Sequence, residues 1–210
     1  SDDACTYGYL IPSNMFAVTV LGYLEKIERK IYGNGEIAEA AKALKEEVHT
    51  AIETIGKTFT EEFGMVYAYE TDGFGMYNLM DDANVPSLLA MNYLGYPSDK
   101  EVEANTRRLL LSEANPFYFK GAKAAGIGSP HTPSNYIWHI AMAVQGLTTG
   151  DREEKRRILE NMAATTGGKG VMHEGFCCED DTRYTREWFS WANAMYAELF
   201  LNYLGYTLDK

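Results

Sequence analysis

Ser134-Asn135-Tyr136-Ile137-Trp138-His139-Ile140-Ala141-Met142-Ala143-Val144-Gln145-Gly146 is followed, after a short break at 147–150, by Asp151-Arg152-Glu153-Glu154-Lys155-Arg156-Arg157-Ile158-Leu159-Glu160. The first segment predicts a helix that opens at Ser134 or Asn135 and is apolar on nearly every face. The second predicts a helix with one apolar stripe and a solvated face. A helix apolar all round is buried between layers, whereas a striped helix lies outside.

The same alternation runs through the chain. Apolar positions Met15, Val18, Leu21, Leu24, Ile27 and Ile31 predict a helix over 14–30, ended by Gly33-Asn34-Gly35. Residues 36–58 carry one stripe, Ile37, Ala41, Leu44, Val48, Ala51 and Ile55, opposite Lys and Glu. Residues 67–75 read as a short hairpin or extended loop. Asn84 and Pro86 open an apolar helix to about residue 94, stopped by Gly95. Ser98-Asp99-Lys100-Glu101 has capping-box spacing ahead of a striped helix to about residue 112. Residues 113–134 form a Gly/Pro-punctuated loop. Thr185 is placed to cap the last helix, which reaches about residue 203 and carries Trp188, Phe189 and Trp191 in its first turns.

Inner helices near 14, 84, 135 and 187 therefore alternate with outer helices near 36, 98 and 151. This predicts an all-α fold, an (α/α)6 toroid of alternating inner and outer helices. Four inner and three outer helices make a little over half of a ring that needs about twelve. Short repeats support the periodicity: Asp-Asp-Ala at 2–4 and 81–83, and Leu-Gly-Tyr at 21–23, 94–96 and 204–206.

Composition narrows the function. The 210 residues are 46% hydrophobic, enough for a sizeable core, and carry a net charge of −11. That charge argues against a nucleic-acid partner, which needs clustered Lys and Arg. Lys155-Arg156-Arg157 and Arg107-Arg108 fall on striped helices and read as solvated faces. Cys5, Cys177 and Cys178 form neither a disulfide framework nor a zinc spacing. Reduced thiols fit a cytoplasmic protein. No apolar run reaches membrane-spanning length.

In a toroid, every loop that leads into an inner helix lies at one rim. Those loops carry Asp2, Asp3, Asp72, Asp81, Asp82, His131, His173, Glu174 and Arg186. The densest chemistry is in 171–193, where His173 and Glu174 follow a Gly-rich break and precede Arg186, Trp188 and Trp191. Acids, imidazoles and indoles together suit a sugar, whose hydroxyls take hydrogen bonds and whose C–H faces lie on aromatic rings. The structural alternatives are that Asp82, Asn84 and Ser134 are helix caps, that the Trp residues are core, and that His139 is a packed core residue. A metal site from His131, His173 and carboxylates has no ligand spacing behind it.

Several motifs, in order along the whole chain, carry a resemblance. They are Ser1-Asp2-Asp3-Ala4 with Ile11-Pro12-Ser13-Asn14-Met15-Phe16-Ala17, Tyr69-Glu70-Thr71-Asp72-Gly73-Phe74-Gly75, Leu79-Met80-Asp81-Asp82-Ala83-Asn84-Val85-Pro86-Ser87, Gly126-Ile127-Gly128-Ser129-Pro130-His131-Thr132 and Met172-His173-Glu174-Gly175-Phe176. They resemble glycoside hydrolase family 125, exo-acting α-1,6-mannosidases with an (α/α)6 barrel.

The resemblance implies an inverting mechanism with no required metal or other cofactor. The implied substrate is a mannose-containing oligosaccharide or N-glycan. It places the general acid on the Asp2–Asp3 pair, with Asp2 favoured, and the general base on Glu174. Asp72, Asp82, His131, His173, Arg186, Trp188 and Trp191 are then expected around the sugar. In the family the base is usually followed by Ser, and Gly175 departs from that. The family's domain is about twice this length. The chain, which does not open on Met, is expected to be the C-terminal part of one catalytic domain. An inverting pair of carboxyls stands roughly 6.5–9.5 Å apart, leaving room for a water. A non-catalytic sugar-binding toroid is the alternative.

Overall fold

The structure is a computed structural model that describes residues 3–206. Asp2, the favoured acid, lies outside the described residues. The described residues hold six α-helices and ten short strands. Among the described residues helices make up most of the regular structure, as the sequence predicts, with short strands between them. The chain divides into two compact units. Among the described residues, one comprises 4–79 and 86–108, the other 3, 80–85 and 109–206.

In the first unit, β1 (Tyr9–Leu10) runs straight into α1 (Ile11–Ile27). Pro12 sits in the first turn, where its missing N–H is no loss, so the helix starts earlier than residue 14. A π-helical turn, Glu28–Tyr32, ends on Gly33 at φ 66°. Asn34 then caps α2 (Gly35–Ile55), its Oδ1 accepting from the Ile37 N–H at 3.2 Å. The two helices pack together through Met15, Val18, Ala38, Ala41 and Ile52. The remaining strands are β2 (Lys57–Thr60), β3 (Gly64–Tyr67), β4 (Glu70–Thr71) and β5 (Tyr77–Asn78). β2 and β3 form a hairpin, and β4 lies between β1 and β5. Thus the extended reading of 67–75 holds for part of that stretch.

α3 (Lys100–Leu110) is capped by Asp99 rather than Ser98. The Asp99 Oδ1 accepts from the N–H groups of Glu101 and Val102 at 2.9 and 3.2 Å. Ser98 instead hydrogen-bonds the Glu103 carboxylate. The inner helix expected over 84–94 is not formed, and the segment is a run of turns. Leu88, Leu89, Ala90 and Met91 are all buried there. Their apolar character reports burial, and a compact turn satisfies burial as well as a helix does.

The second unit contains a hairpin, β6 (Tyr118–Lys120) and β7 (Ala125–Ile127), then β8 (Tyr136–Trp138), which leads into α4 (His139–Leu147). The start expected at 134 or 135 is therefore displaced, because residues 136–138 pair with the next strand instead of coiling. α5 (Arg152–Ala164) follows, capped by Asp151, whose Oδ1 accepts from the Glu153 N–H at 2.8 Å. β9 (Gly175–Cys177) and β10 (Asp180–Thr185) complete a sheet of order β10-β9-β8, and α6 (Ser190–Tyr203) closes the unit.

Thr185 is a strand residue, not a helix cap. Its Oγ1 accepts from the Gly175 N–H at 3.1 Å. Trp188 and Phe189 consequently precede α6, and only Trp191 lies in its first turn. The expected contrast between helix types holds here. α4 is buried from His139 through Val144, whereas α5 buries only Ile158, Leu159 and Met162. At Gly146 of α4, a Cβ would come within 2.7 Å of Leu199 Cδ2 on α6, so a larger residue there would have to displace the Leu199 side chain.

Candidate active site

The loop before β9 places Glu174. Gly167, Gly168 and Gly170 turn the chain at positive φ, and β9 then begins at Gly175. Glu174 is 7% exposed. Its Oε1 lies 3.1 Å from Arg186 Nε, and its other oxygen has no protein partner among the described residues. Arg186 follows β10 in the left-handed region at φ 44°, and its guanidinium lies over the Phe189 ring at 5.4 Å. A strained backbone at this point aims a cation back at the carboxylate.

A cleft of about 290 Å³ opens over this pair, lined by Asn84, Val85, Trp138, Glu174, Arg186, Phe189 and Trp191. Its volume is near the lower end of the ~300–1,000 Å³ typical of ligand pockets. Trp138 is the last residue of β8, and its Nε1–H donates to Thr132 Oγ1 at 3.1 Å. Phe189 stands edge-on to Trp138 with centroids 6.4 Å apart.

His173, beside Glu174, is fully buried. Its Nδ1 is 2.6 Å from the Glu187 carbonyl, which only accepts, so the proton sits on Nδ1. Its ring is stacked on Tyr184 at 4.0 Å. Nε2 is then a bare lone pair, buried with no partner among the described residues.

Asp3, the described member of the expected acid pair, is half-buried. Its Oδ2 is 3.0 Å from His131 Nδ1, which also lies 3.1 Å from Ser129 Oγ. The His131 ring is edge-on to Trp138, with centroids 5.1 Å apart. The imidazole that holds Asp3 thus packs against the indole that lines the Glu174 cleft. Asp82 is buried and accepts from the Asn84 N–H at 3.2 Å, which orders a residue of the cleft wall.

Asp72 and Trp188 are not among the residues that line the cleft. Asp72 belongs to the other unit, where its Oδ1 accepts from Phe74 and Met76 N–H groups at 2.8 and 3.0 Å and closes its own turn. Those N–H groups hold its carboxyl below the usual range. Trp188 is 63% exposed and does not line the cleft, whereas Trp191 does. The cleft also uses residues the sequence reading assigned elsewhere. The helical pattern places Trp138 in a helix interior and Asn84 at a cap, and gives Phe189 and Val85 no site role. Only the proximity of Trp138 to Glu174 across β8 and β9 reveals its place, and no linear signal carries it. Among the described residues, no group of three or more His, Cys, Asp or Glu is placed to hold a metal ion.

One buried carboxylate with an unspent oxygen, a cation and aromatic walls can accept a proton while holding a sugar face. The chain is also similar to known proteins. The profile of the metal-independent α-mannosidase family (GH125) matches residues 1–201. The Meiotically up-regulated gene 157 protein of Schizosaccharomyces pombe is 42% identical over 206 residues, which are 97% of this chain and 40% of that protein. A Streptococcus pneumoniae protein from a family of metal-independent α-mannosidases was solved in a non-productive substrate complex with α-1,6-mannobiose. It superposes with a TM-score of 0.95 at 49% identity, over 98% of this chain and 49% of the other. The chain therefore spans less than half the length of these relatives. Matched along nearly its whole length, it belongs to the metal-independent α-mannosidase family, GH125.

Proposed function

We propose that the chain supplies the base-bearing part of an exo-acting α-1,6-mannosidase that works by inversion on mannose-containing oligosaccharides or N-glycans. The observation that carries this reading is Glu174, buried at 7% exposure on an aromatic-walled cleft with one oxygen uncommitted. The α-1,6-mannobiose bound by the Streptococcus pneumoniae relative supports the linkage.

In this reading, Glu174 takes a proton from water, and that water attacks the anomeric carbon. A carboxyl of the Asp2–Asp3 pair protonates the departing glycosidic oxygen from the other side. Bond making and bond breaking on opposite faces turn the α-mannoside into β-mannose. Trp138, Phe189 and Trp191 supply apolar walls for the sugar ring. Arg186 fixes Glu174, and its terminal guanidinium nitrogens have no protein partner among the described residues. The bare Nε2 of His173, buried and not part of the cleft lining, suits a water. We propose further that these 210 residues are part of a longer catalytic domain, an (α/α)6 toroid, whose remaining portion completes the sugar pocket. The share of each relative that the chain covers supports this.

The test uses the full-length protein with α-1,6-mannobiose, following the first-formed mannose by proton NMR. β-Mannose as the initial product supports inversion. α-Mannose as the initial product overturns it, and no release of mannose overturns the assigned activity.

A further inference from the structure

His139 is a buried imidazole that the reaction does not use. It opens α4 among Ile137, Trp138 and Ile140 and has no exposed surface. Its Nδ1 is 3.0 Å from the backbone nitrogen of His173 and 3.2 Å from the His173 carbonyl oxygen. Its Nε2 is 3.1 Å from Thr165 Oγ1. The two neighbours of Nδ1 demand opposite tautomers, and Thr165 decides between them. The Thr165 hydroxyl donates to the Asn161 carbonyl at 2.8 Å, as expected at the end of a helix, and so accepts from His139 Nε2–H. Nδ1 is then a lone pair, and it receives the His173 N–H. The opposite tautomer would leave that buried N–H without a partner, which costs free energy.

The His139 ring is also stacked on Phe176, with centroids 4.7 Å apart at 28°. It therefore holds the chain on both sides of Glu174, by hydrogen bond at residue 173 and by stacking at residue 176. Burial pushes its pKa down to about 4, against the raising pull of the nearby His173 carbonyl, so the lone pair persists through neutral pH.

We infer that His139, set in one tautomer by Thr165, is a positioning residue that aims Glu174 into the cleft by receiving the His173 N–H. The base is presented by a short loop, not by a helix or a long strand. A misplacement of about 1 Å at a reacting group can cost about a hundredfold in rate. His139 is thus the rigid element of α4 to which the loop is tied. The inference rests on the proposed role of Glu174, but its first readout does not.

The experiment compares His139→Leu, His139→Asn, Thr165→Val and Thr165→Ser in the full-length protein. Asn places an amide oxygen near the Nδ1 position, and Leu does not. Ser keeps the hydroxyl, and Val removes it at constant shape. Hydrogen exchange of the His173 amide is measured first. It should quicken at least tenfold in His139→Leu and in Thr165→Val, and stay near the parent rate in His139→Asn and Thr165→Ser. On α-1,6-mannobiose, kcat should fall about ten- to a hundredfold in the first two variants, with KM within a few-fold, and recover in the second two. Unchanged His173 exchange in both Leu and Val variants overturns the inference. So does equal loss in Thr165→Val and Thr165→Ser. If exchange follows the expected order while Glu174→Gln keeps full turnover, the tie to the loop stands but its role in aiming a base is overturned, and the fault lies with the assignment of Glu174.

Discussion

Two glutamates of this chain look alike in sequence and differ in what surrounds them. Glu70 and Glu174 are both buried, at 4% and 7% exposure, and each is followed within a few residues by glycine and phenylalanine. The Glu70 Oε2 accepts from the N–H groups of Thr6 and Tyr7 at 2.9 and 3.2 Å and from Asn78 Nδ2 at 3.3 Å. It is consumed in tying the segment ahead of β1 to β4. Glu174 meets one guanidinium and then a cleft. A buried carboxylate costs free energy, and the chain keeps one for either of two reasons. Either its oxygens are satisfied by the fold, or one is held ready for a ligand.

The largest expected effect separates the two directly. Glu174→Gln should lower kcat on α-1,6-mannobiose by about 10²–10⁴-fold while leaving sugar binding and thermal stability near the parent values. Glu70→Gln should do the reverse. All three donors meet one oxygen, so the glutamine oxygen still receives them but without the charge, and unfolding should become easier by about 1 kcal/mol in a urea melt. A Glu70 variant that melts normally but loses turnover would break the comparison.

Next in size is the acid. Asp2→Asn or Asp3→Asn, whichever removes the acid, should lose about 10²–10⁴-fold on mannobiose but much less on an aryl mannoside whose leaving group needs no protonation. Equal losses on both substrates in each variant would show that neither residue is the acid.

The pH dependence of stability sharpens the comparison at the loop that carries Glu174. The His139 pKa falls from 6.5 to about 4 on folding. As pH falls through 6.5, the unfolded chain takes up a proton that the folded chain refuses. The stability is thus fully present above 6.5 and is lost as pH falls toward 4, up to roughly 3 kcal/mol. Urea midpoints at pH 7.5 and 4.5 should differ less in His139→Asn than in the parent.

The smallest effect concerns the indoles. Trp191→Ala should weaken mannobiose binding by a few-fold to tenfold, because Trp191 lines the cleft. Trp188→Ala, at a position 63% exposed, should change it by less than about twofold. Calorimetry on both variants checks the order.

The sequence by itself determined the helical character, the buried α4 beside the half-exposed α5, and the family motifs. These are local or periodic properties. A stripe, an N-cap or a charged residue after a glycine run is written in consecutive residues. At 84–94, 134–138 and 185–189 tertiary context overrides the pattern. Apolar residues 88–91 are buried without a helix, Tyr136-Ile137-Trp138 is drawn into a sheet by β9, and Thr185 is held as a strand residue through Gly175. Only the tertiary structure decided which acids share a site. Asp72 closes its own turn, Trp138 reaches the cleft from β8, and His139 meets residue 173 across 34 positions of sequence. A hydrogen bond or a stacked ring between distant residues depends on how the chain is packed, and no spacing along the sequence encodes it.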